Sequence, residues 1–193
     1  MQQVILASGS AQRKALLAIL NVPFEIIPAN IDEKGIRDQD FAIRAEKIAR
    51  AKTEKVALTN KGIVIAGDTF TVCDNQILEK PANLEEAKLM LRQLSGNECI
   101  NYSGFCYIDR QNNLDFSTTA TAEVKFRELT DKEITEYVAK FPVLTWAAAY
   151  SPAYSYVMTM TSSIKGSFTG FTHGLPMELL IPLLRKSGIE PSP

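Results

Sequence analysis

The residues of this sequence that could do chemistry are two carboxylates and three cations within its first 80 positions. Two carboxylates can bind a hard divalent cation through oxygen, and lysine or arginine side chains neutralise phosphate groups. Acting together, such groups support a metal-assisted attack of water on a phosphoanhydride. The residues in question are Glu33, Asp68, Arg13, Lys52 and Lys80.

The first cation, Arg13, lies at a predicted strand–turn–helix junction. Val4–Ala7 reads as a short buried strand, and Ala11–Leu20 reads as a helix with Ser10 as its N-cap. Free backbone N–H groups and the helix dipole favour an anion at such a junction, and Arg13 adds a donor suited to phosphate. A capping Ser10 and a solvated Arg13 would explain the same pattern without a ligand.

Asp68 follows the apolar run Ile63–Ala66, which predicts another buried strand. A carboxylate at the carboxyl end of such a strand faces the usual ligand crevice of an α/β sheet, where it could hold a metal or take a proton from water. Taken alone, Asp68 is more typical of a turn. Glu33, Lys52 and Lys80, also taken one by one, are more typical of a charged surface.

Composition and charge exclude several classes of protein. The 193 residues are 46% hydrophobic and 22% charged, as in an ordinary globular protein. A formal net charge of −1 provides neither a basic face for duplex nucleic acid nor a polybasic membrane anchor. Walker and dinucleotide-binding glycine motifs are missing from the sequence, and a Ser-His-Asp triad would depend on the single His173. We therefore interpret His173 as a loop residue.

The three cysteines and the N-terminal residues predict a protein of the cytoplasm. Cys73, Cys99 and Cys106 match no zinc-binding spacing, which favours buried free thiols in a reducing compartment. The first residues lack the pattern of a secretory signal, and no apolar run approaches the ~18 residues of a membrane span. We expect no contact with a membrane.

Hydrophobic periodicity that alternates between helix and strand predicts a mixed α/β fold with α+β character. Asp74-Asn75 is typical of a hairpin turn, Thr130 to Glu133 of a capping box, and residues 143–156 fit no regular element. The remaining predicted strands are Phe24–Ile27, Phe70–Cys73, Gln76–Leu78, Cys99–Ile108, Leu114–Phe126 and Val157–Ile164; the remaining helices are Phe41–Leu58, Leu84–Leu94, one ending before Pro142, and one opening at Gly174-Leu175-Pro176 and reaching Lys186.

The order of these segments resembles the Maf family of nucleoside triphosphate pyrophosphatases over essentially the whole chain. Each segment is a weak signal by itself, whereas their joint order and spacing are specific. The matching segments are Leu6-Ala7-Ser8-Gly9-Ser10 with Arg13, Ile31-Asp32-Glu33, Ala49-Arg50-Ala51-Lys52, Gly67-Asp68-Thr69, Glu79-Lys80-Pro81, Leu94-Ser95-Gly96, Val124-Lys125-Phe126-Arg127 and Gly174-Leu175-Pro176.

The resemblance implies a fold and an activity. The expected fold is two-lobed and similar to that of the inosine triphosphatases, with a central twisted mixed sheet, flanking helices and a deep cleft in one domain over residues 1–193. The expected activity is hydrolysis of a nucleoside triphosphate to the monophosphate and pyrophosphate with Mg²⁺ or Mn²⁺. The family also implies a cytoplasmic protein that is often a homodimer.

The resemblance also implies a role for each matching residue. Asp68 would accept a proton from the attacking water and, with Glu33, hold the metal. Five residues would bind the triphosphate: Ser8, Ser10, Arg13, Lys52 and Lys80.

Substrate choice is where this sequence departs from its relatives. Thr69 agrees with the branch of the family that acts on dTTP and UTP, whereas Gln12 and Ala153 agree neither with that branch nor with the one acting on 7-methyl-GTP. Trp146 or Tyr150 could stack on a base instead, although a tryptophan packed between the lobes is the favoured explanation. Two other functions stay open: a nucleotide-binding regulator of cell division without turnover, and a phosphatase acting on another phosphorylated metabolite.

Overall fold

The computed structural model describes residues 2–192. Its strands are β1 (Val4–Leu6), β2 (Phe24–Ile26), β3 (Ile63–Cys73), β4 (Gln76–Leu78), β5 (Glu98–Asp109), β6 (Leu114–Phe126) and β7 (Thr161–Gly166). Its helices are α1 (Ala11–Ala18), α2 (Phe41–Ala57), α3 (Leu84–Leu94), α4 (Asp131–Lys140), α5 (Phe168–His173) and α6 (Met177–Lys186). Short 3₁₀ turns cover Glu33–Gly35, Val143–Thr145, Ala147–Ala149 and Ser155–Thr159.

The strands form one mixed sheet in the order β2-β1-β3-β5-β6-β7, with β4 paired to β3. β1 runs parallel to both β2 and β3, whereas β3–β4 and β6–β7 are antiparallel pairs. The predicted mixed α/β class is confirmed. The chain divides into two compact units, of which the first comprises Met1–Thr69, Tyr102–Ala120 and Thr169–Pro193, and the second comprises Phe70–Asn101 and Thr121–Phe168.

In the first unit, buried strands carry apolar side chains on both faces, because helices cover both sides of the sheet. Alternate residues of β1, β3 and β5 therefore join two different cores. Val4, Ile63 and Phe105 pack with residues of α1 and α6, whereas Ile5, Val64 and Cys106 pack with residues of α2. This alternation determines which helix each polar side chain further along β3 will meet.

In the second unit, α3 and α4 contact each other. Asn83 caps α3 by accepting a hydrogen bond from the Glu86 backbone N–H at 2.9 Å. Thr130 and Glu133 form the predicted capping box at the start of α4. Asp74 and Asn75 both have positive φ, as a two-residue hairpin turn between β3 and β4 requires.

Three predicted elements differ from the structure. β3 is one continuous strand to Cys73, with β5 beside it and β4 paired to Thr71–Cys73, so Asp68 and Thr69 lie within the strand. The expected strand Val157–Ile164 begins only at Thr161, after a 3₁₀ turn. The segment before Gly174 forms α5, so that His173 ends a helix instead of lying in a loop.

The expectation of three free thiols is wrong for two of them. Cys73 at the end of β3 and Cys99 at the start of β5 form a disulfide, since these neighbouring strands bring their Cα atoms to 4.6 Å. Cys106 is free and buried. Within residues 2–192, none of the helices combines the length and apolar character that crossing a bilayer requires.

Candidate functional site

The guanidinium of Arg13 is held at every nitrogen by a neutral acceptor of the first unit. Its Nε donates to the carbonyl oxygen of Gly174 at 2.9 Å. One terminal nitrogen donates to Ser8 Oγ at 3.0 Å and the other to Thr69 Oγ1 at 3.1 Å. We call these four residues the arginine cluster. Among residues 2–192, no carboxylate is a hydrogen-bonding partner of Arg13, so its positive charge is oriented but not neutralised by direct contact.

Local structure at the start of α1 places Arg13. Ser10 caps the helix by accepting from the Arg13 backbone N–H, and Ser8 Oγ accepts from the Ser10 backbone N–H at 3.3 Å. The predicted N-cap is therefore present. Burial lowers the pKa of Arg13 from its usual value, while the nearby negative charges of Asp68 and Glu33 oppose that effect. An arginine nevertheless keeps its proton near neutral pH.

Two glycines make room for the arginine cluster. A Cβ on Gly67 would lie 2.6 Å from the carbonyl oxygen of Gly174 and 3.1 Å from Arg13 Nε. Gly174 has φ of +68°, a conformation that side chains rarely adopt. Larger residues at either position would therefore push the arginine away from its acceptors.

A second group of charges, which we call the lysine cluster, joins Lys52 to Asp68 and Glu33. Lys52 Nζ donates to Asp68 Oδ1 at 2.9 Å and forms an ion pair with Glu33 Oε2 at 3.0 Å. The side chains of Lys52 and Asp68 are only 10% and 12% exposed, whereas that of Glu33 is 50% exposed. The cluster contains two acids and one base, so it carries a net negative charge.

Strand geometry explains why two consecutive residues of β3 belong to different clusters. Side chains alternate between the faces of a strand, so Asp68 follows Val64 and Ala66 toward α2, which carries Lys52. Thr69 follows Ile63 and Ile65 toward the opposite face, where α1 carries Arg13. β1 pairs with β3 only as far as Ala7, whose N–H bonds to Ile65, so both residues lie beyond its end.

The lysine cluster has donors that suit a divalent metal. One oxygen of Glu33 and one of Asp68 lie within 3.0 Å of the same cationic atom, so the two carboxylates converge. Hard oxygen ligands of this kind fit Mg²⁺ and Mn²⁺. Among residues 2–192 there is no group of three or more His, Cys, Asp or Glu that could hold a metal, so further ligands would come from substrate and water.

The other predicted site residues lie outside both clusters. Gln12 is half-buried, and its Oε1 accepts from Ser10 Oγ at 3.0 Å. Lys80 is exposed just after β4 and Ala153 is half-buried near residue 155, both in the second unit. The structure thus groups Ser8, Arg13 and Thr69 in the arginine cluster, with Ser10 and Gln12 beside it. It groups Glu33, Lys52 and Asp68 in the lysine cluster. Lys80 and Ala153 belong to neither cluster.

The two aromatic residues considered for base stacking are both packed inside the second unit. Trp146 is 8% exposed, and its ring lies 4.8 Å from that of Tyr154 and 6.4 Å from that of Phe141. Tyr150 is 4% exposed and its hydroxyl lies 3.0 Å from Thr71 Oγ1. These contacts favour packing as the role of both rings.

Sequence reasoning missed two residues around Arg13: Gly174, which accepts from it, and Ser103, which contacts its acceptor Thr69. The Gly174 carbonyl contacts Arg13 directly, and Ser103 lies behind Thr69, 3.4 Å from its hydroxyl, while donating to the Gly170 carbonyl at 2.8 Å. The glycine before Leu175-Pro176 was a signal for a special backbone conformation. Ser103 gave no signal, because a serine within a strand is unremarkable without its neighbours.

The fold and site described above define a mixed α/β protein with a buried arginine and a converging pair of carboxylates. A profile of the family described as Maf-like protein matches residues 3–187. The chain therefore belongs to the Maf-like protein family, and the predicted resemblance is confirmed.

Two relatives are similar over nearly their whole length. The dTTP/UTP pyrophosphatase of Ruminiclostridium cellulolyticum is 35% identical over 96% of this chain and 96% of its own. The dTTP/UTP pyrophosphatase of Moorella thermoacetica is 35% identical over 98% of this chain and 97% of its own.

Among solved structures, the Staphylococcus aureus Ham1 protein is more distant, with a TM-score of 0.45 and 14% identity over 65% of this chain and 72% of that one.

Proposed function

We propose that this protein is a nucleoside triphosphate pyrophosphatase that requires a divalent metal. The observation that carries the proposal is the convergence of Asp68 and Glu33 on Lys52 Nζ, at 2.9 and 3.0 Å. The names of the two relatives support the same activity. The buried, positively charged Arg13 of the same unit supports a polyanionic substrate.

In the proposed reaction, water attacks a phosphorus atom of the α–β phosphoanhydride. A new P–O bond forms, the anhydride P–O bond breaks, and the products are the nucleoside monophosphate and pyrophosphate. Asp68 would accept the proton of the attacking water on a carboxylate oxygen that does not hold the metal. A bound Mg²⁺ or Mn²⁺, held by Glu33 and Asp68, supplies positive charge that offsets the phosphate oxygens.

The cations and hydroxyls of the chain would bind and orient the triphosphate. Arg13 and Lys52 provide positive charge from opposite faces of β3. Lys80, expected from the resemblance, is proposed as a further cation. Ser8 and Ser10 line the start of α1, where backbone N–H groups favour an anion. Such preorganised donors stabilise the negative charge of the transition state without reorganising.

Three positions bear on which nucleotide base the proposed site would prefer. Thr69 agrees with action on dTTP and UTP, the substrates in the names of the relatives. Ala153 has no polar group, and the Oε1 of Gln12 accepts from Ser10 Oγ, so only the amide N–H groups of Gln12 are left as hydrogen-bond donors for a base. We therefore propose a site that binds the triphosphate tightly and discriminates weakly between bases.

The test is a panel of nucleotides with product identification. ATP, GTP, CTP, UTP, dTTP and 7-methyl-GTP are each incubated with the protein and Mg²⁺ or Mn²⁺, and phosphorus NMR identifies the products. Release of pyrophosphate supports the proposal. Release of orthophosphate alone would favour a phosphatase of other metabolites, and tight binding without any product would favour the regulator of cell division.

Four further expectations stay predictions beside this activity. Sedimentation velocity tests the homodimer, cell fractionation tests the cytoplasmic location, and the panel itself compares Mg²⁺ with Mn²⁺. The cleft shared by two lobes is tested by an experimental structure with a bound nucleotide.

A further inference from the structure

The ammonium of Lys52 occupies the point on which the two proposed metal-binding carboxylates converge. Its distances to Glu33 Oε2 and Asp68 Oδ1 differ by only 0.1 Å, being 3.0 and 2.9 Å. Because Asp68 is buried, its carboxylate would lose its ion-pair partner if Lys52 were removed alone, whereas Lys52 would keep Glu33. Lys52 is therefore the counter-ion of the pair in the structure described.

A divalent cation and this ammonium compete for the same oxygens. A cation held by both carboxylates would take the place between them that Lys52 Nζ now occupies, and the two positive charges would repel each other. Lys52 has a flexible four-carbon stem, so its ammonium can move while its backbone stays within α2. Arg13 has no such freedom, since three directed hydrogen bonds hold its guanidinium.

The displaced ammonium needs a new anionic partner. Without a nucleotide, a metal ion would force Lys52 out of its ion pairs with nothing to replace them. With a nucleotide, the triphosphate accepts Lys52 and also supplies ligands to the metal, which finds only two carboxylates at this cluster. Metal and nucleotide therefore each remove an obstacle to binding of the other, which is positive coupling.

We propose that Lys52 is an exchangeable internal cation: it holds Glu33 and Asp68 together in the free protein and is replaced there by the metal when nucleotide binds. The inference rests on the proposed function for the identity of the nucleotide. Its consequence for the free protein, weak metal binding because of Lys52, does not depend on turnover.

The experiment measures Mn²⁺ binding to the whole chain by the electron paramagnetic resonance signal of free Mn²⁺. Without nucleotide, Lys52→Met is expected to bind Mn²⁺ about tenfold more tightly than the unchanged protein, because the competing charge is gone. Lys47→Met is the matched control. Lys47 lies on the same helix and pairs with a carboxylate, Asp38, at 2.7 Å, but outside the lysine cluster. It should leave Mn²⁺ affinity unchanged.

A second arm adds the α,β-methylene analogue of UTP, which resists cleavage at the proposed bond. The analogue is expected to tighten Mn²⁺ binding by the unchanged protein about tenfold, and to do so less in Lys52→Met, where the exchange has already been removed. Lys52→Arg retains a cation and should keep Mn²⁺ binding weak. If Lys52→Met does not fold, Lys52→Gln compared with Lys52→Arg provides the same contrast.

Two outcomes are decisive and distinguishable. If Lys52→Met and Lys52→Gln bind Mn²⁺ no more tightly than the unchanged protein, the exchange is wrong, whatever the activity is. If the unchanged protein hydrolyses none of the nucleotides in the panel, the proposed function fails, while the comparison of Mn²⁺ affinities without nucleotide still tests the role of Lys52.

Discussion

The two clusters of the first unit hold their cations in opposite ways. Arg13 is surrounded by hydroxyls and a carbonyl oxygen, which fix its direction and leave its charge available. Lys52 is paired with two carboxylates, which neutralise its charge and leave it replaceable by another cation. A fixed cation suits permanent recognition of an anion, whereas a neutralised one suits exchange.

The difference follows from the chemistry of the two side chains. A planar guanidinium presents several donors in a rigid fork, so three separated acceptors can hold it. An ammonium is a compact charge on a flexible stem, and two carboxylates that meet at one point suit it better. The alternation of β3 then keeps Thr69 with the arginine and Asp68 with the lysine.

The largest effect that would test this comparison is expected from Asp68. Asp68→Asn keeps the shape of the side chain but removes both the proton acceptor and one metal ligand. We expect kcat for pyrophosphate release to fall at least about 10²-fold, the lower range for loss of general-base catalysis.

Asp38→Asn is the control for this loss. Asp38 is a carboxylate that also accepts from a lysine, at 2.7 Å from Lys47, and that hydrogen bond holds its pKa below the usual value. It lies outside both clusters, so its variant should keep full activity. A fully active Asp68→Asn protein would remove the lysine cluster from the proposed reaction.

The next effect is a loss of stability at Arg13. Arg13→Met leaves the Gly174 carbonyl and the hydroxyls of Ser8 and Thr69 without their donor. We expect the free energy of unfolding to fall by about 3 kcal/mol, at about 1 kcal/mol for each lost hydrogen bond. Urea unfolding followed by circular dichroism measures it.

Added Mn²⁺ sharpens the contrast between the two cations. Mn²⁺ should raise the melting temperature of Lys52→Met, where it replaces the missing charge, because a ligand that binds only the folded state stabilises it. Added Mn²⁺ should leave the melting temperature of Arg13→Met unchanged. An equal response of both variants would contradict the distinction between a fixed and an exchangeable cation.

A smaller effect is expected at Glu33, whose side chain is half exposed and lies at the rim of the lysine cluster. Glu33→Gln removes one metal ligand while Asp68 and Lys52 keep their contact. We expect the Mn²⁺ concentration for half-maximal activity to rise about fivefold to tenfold, and kcat at saturating Mn²⁺ to change little. An unchanged Mn²⁺ requirement would leave Asp68 as the only protein ligand.

The sequence predicted those elements whose determining residues lie close together along the chain. The junction of β1 and α1 was predicted, because an apolar run, a serine cap and helical spacing all lie within 20 residues. The hairpin at Asp74-Asn75 was predicted because two such residues tolerate positive φ. Both features need no knowledge of distant partners.

Features that depend on distant strands were not predicted. Gly67-Asp68-Thr69 looked like the end of a strand, yet β3 continues through it to Cys73, beside β5 and paired with β4 at Thr71–Cys73. The Cys73–Cys99 disulfide exists because those strands are neighbours, which no spacing in the sequence shows. The Gly174 carbonyl reaches Arg13 across 161 positions of the chain. Long-range pairing, more than local propensity, separates the predicted fold from the observed one.

The smallest effect compares the free thiol of the first unit with the disulfide of the second. Cys106 of β5 is fully buried among residues of α2, and this burial raises its pKa to about 11. Near pH 8 the native protein should therefore not react with a thiol reagent such as DTNB. After unfolding in guanidinium chloride without reductant, one thiol should react, and after reduction all three. Three reactive thiols before reduction would show that Cys73 and Cys99 are not joined.

The raised pKa of Cys106 also predicts how stability changes with pH. The unfolded thiol loses its proton from about pH 9, whereas the folded one holds it to about pH 11. The contribution of this pKa shift to the free energy of unfolding is thus fully present below about pH 9, and it is lost as the pH rises from about 9 to about 11. Burial also raises the pKa of Tyr150 to about 12, so the titration of tyrosine overlaps with that of the thiol and the comparison needs Cys106→Ala. That variant should lose less unfolding free energy between about pH 8.5 and 10.5, whereas an identical pH dependence would mean that the thiol is hydrated in the native protein.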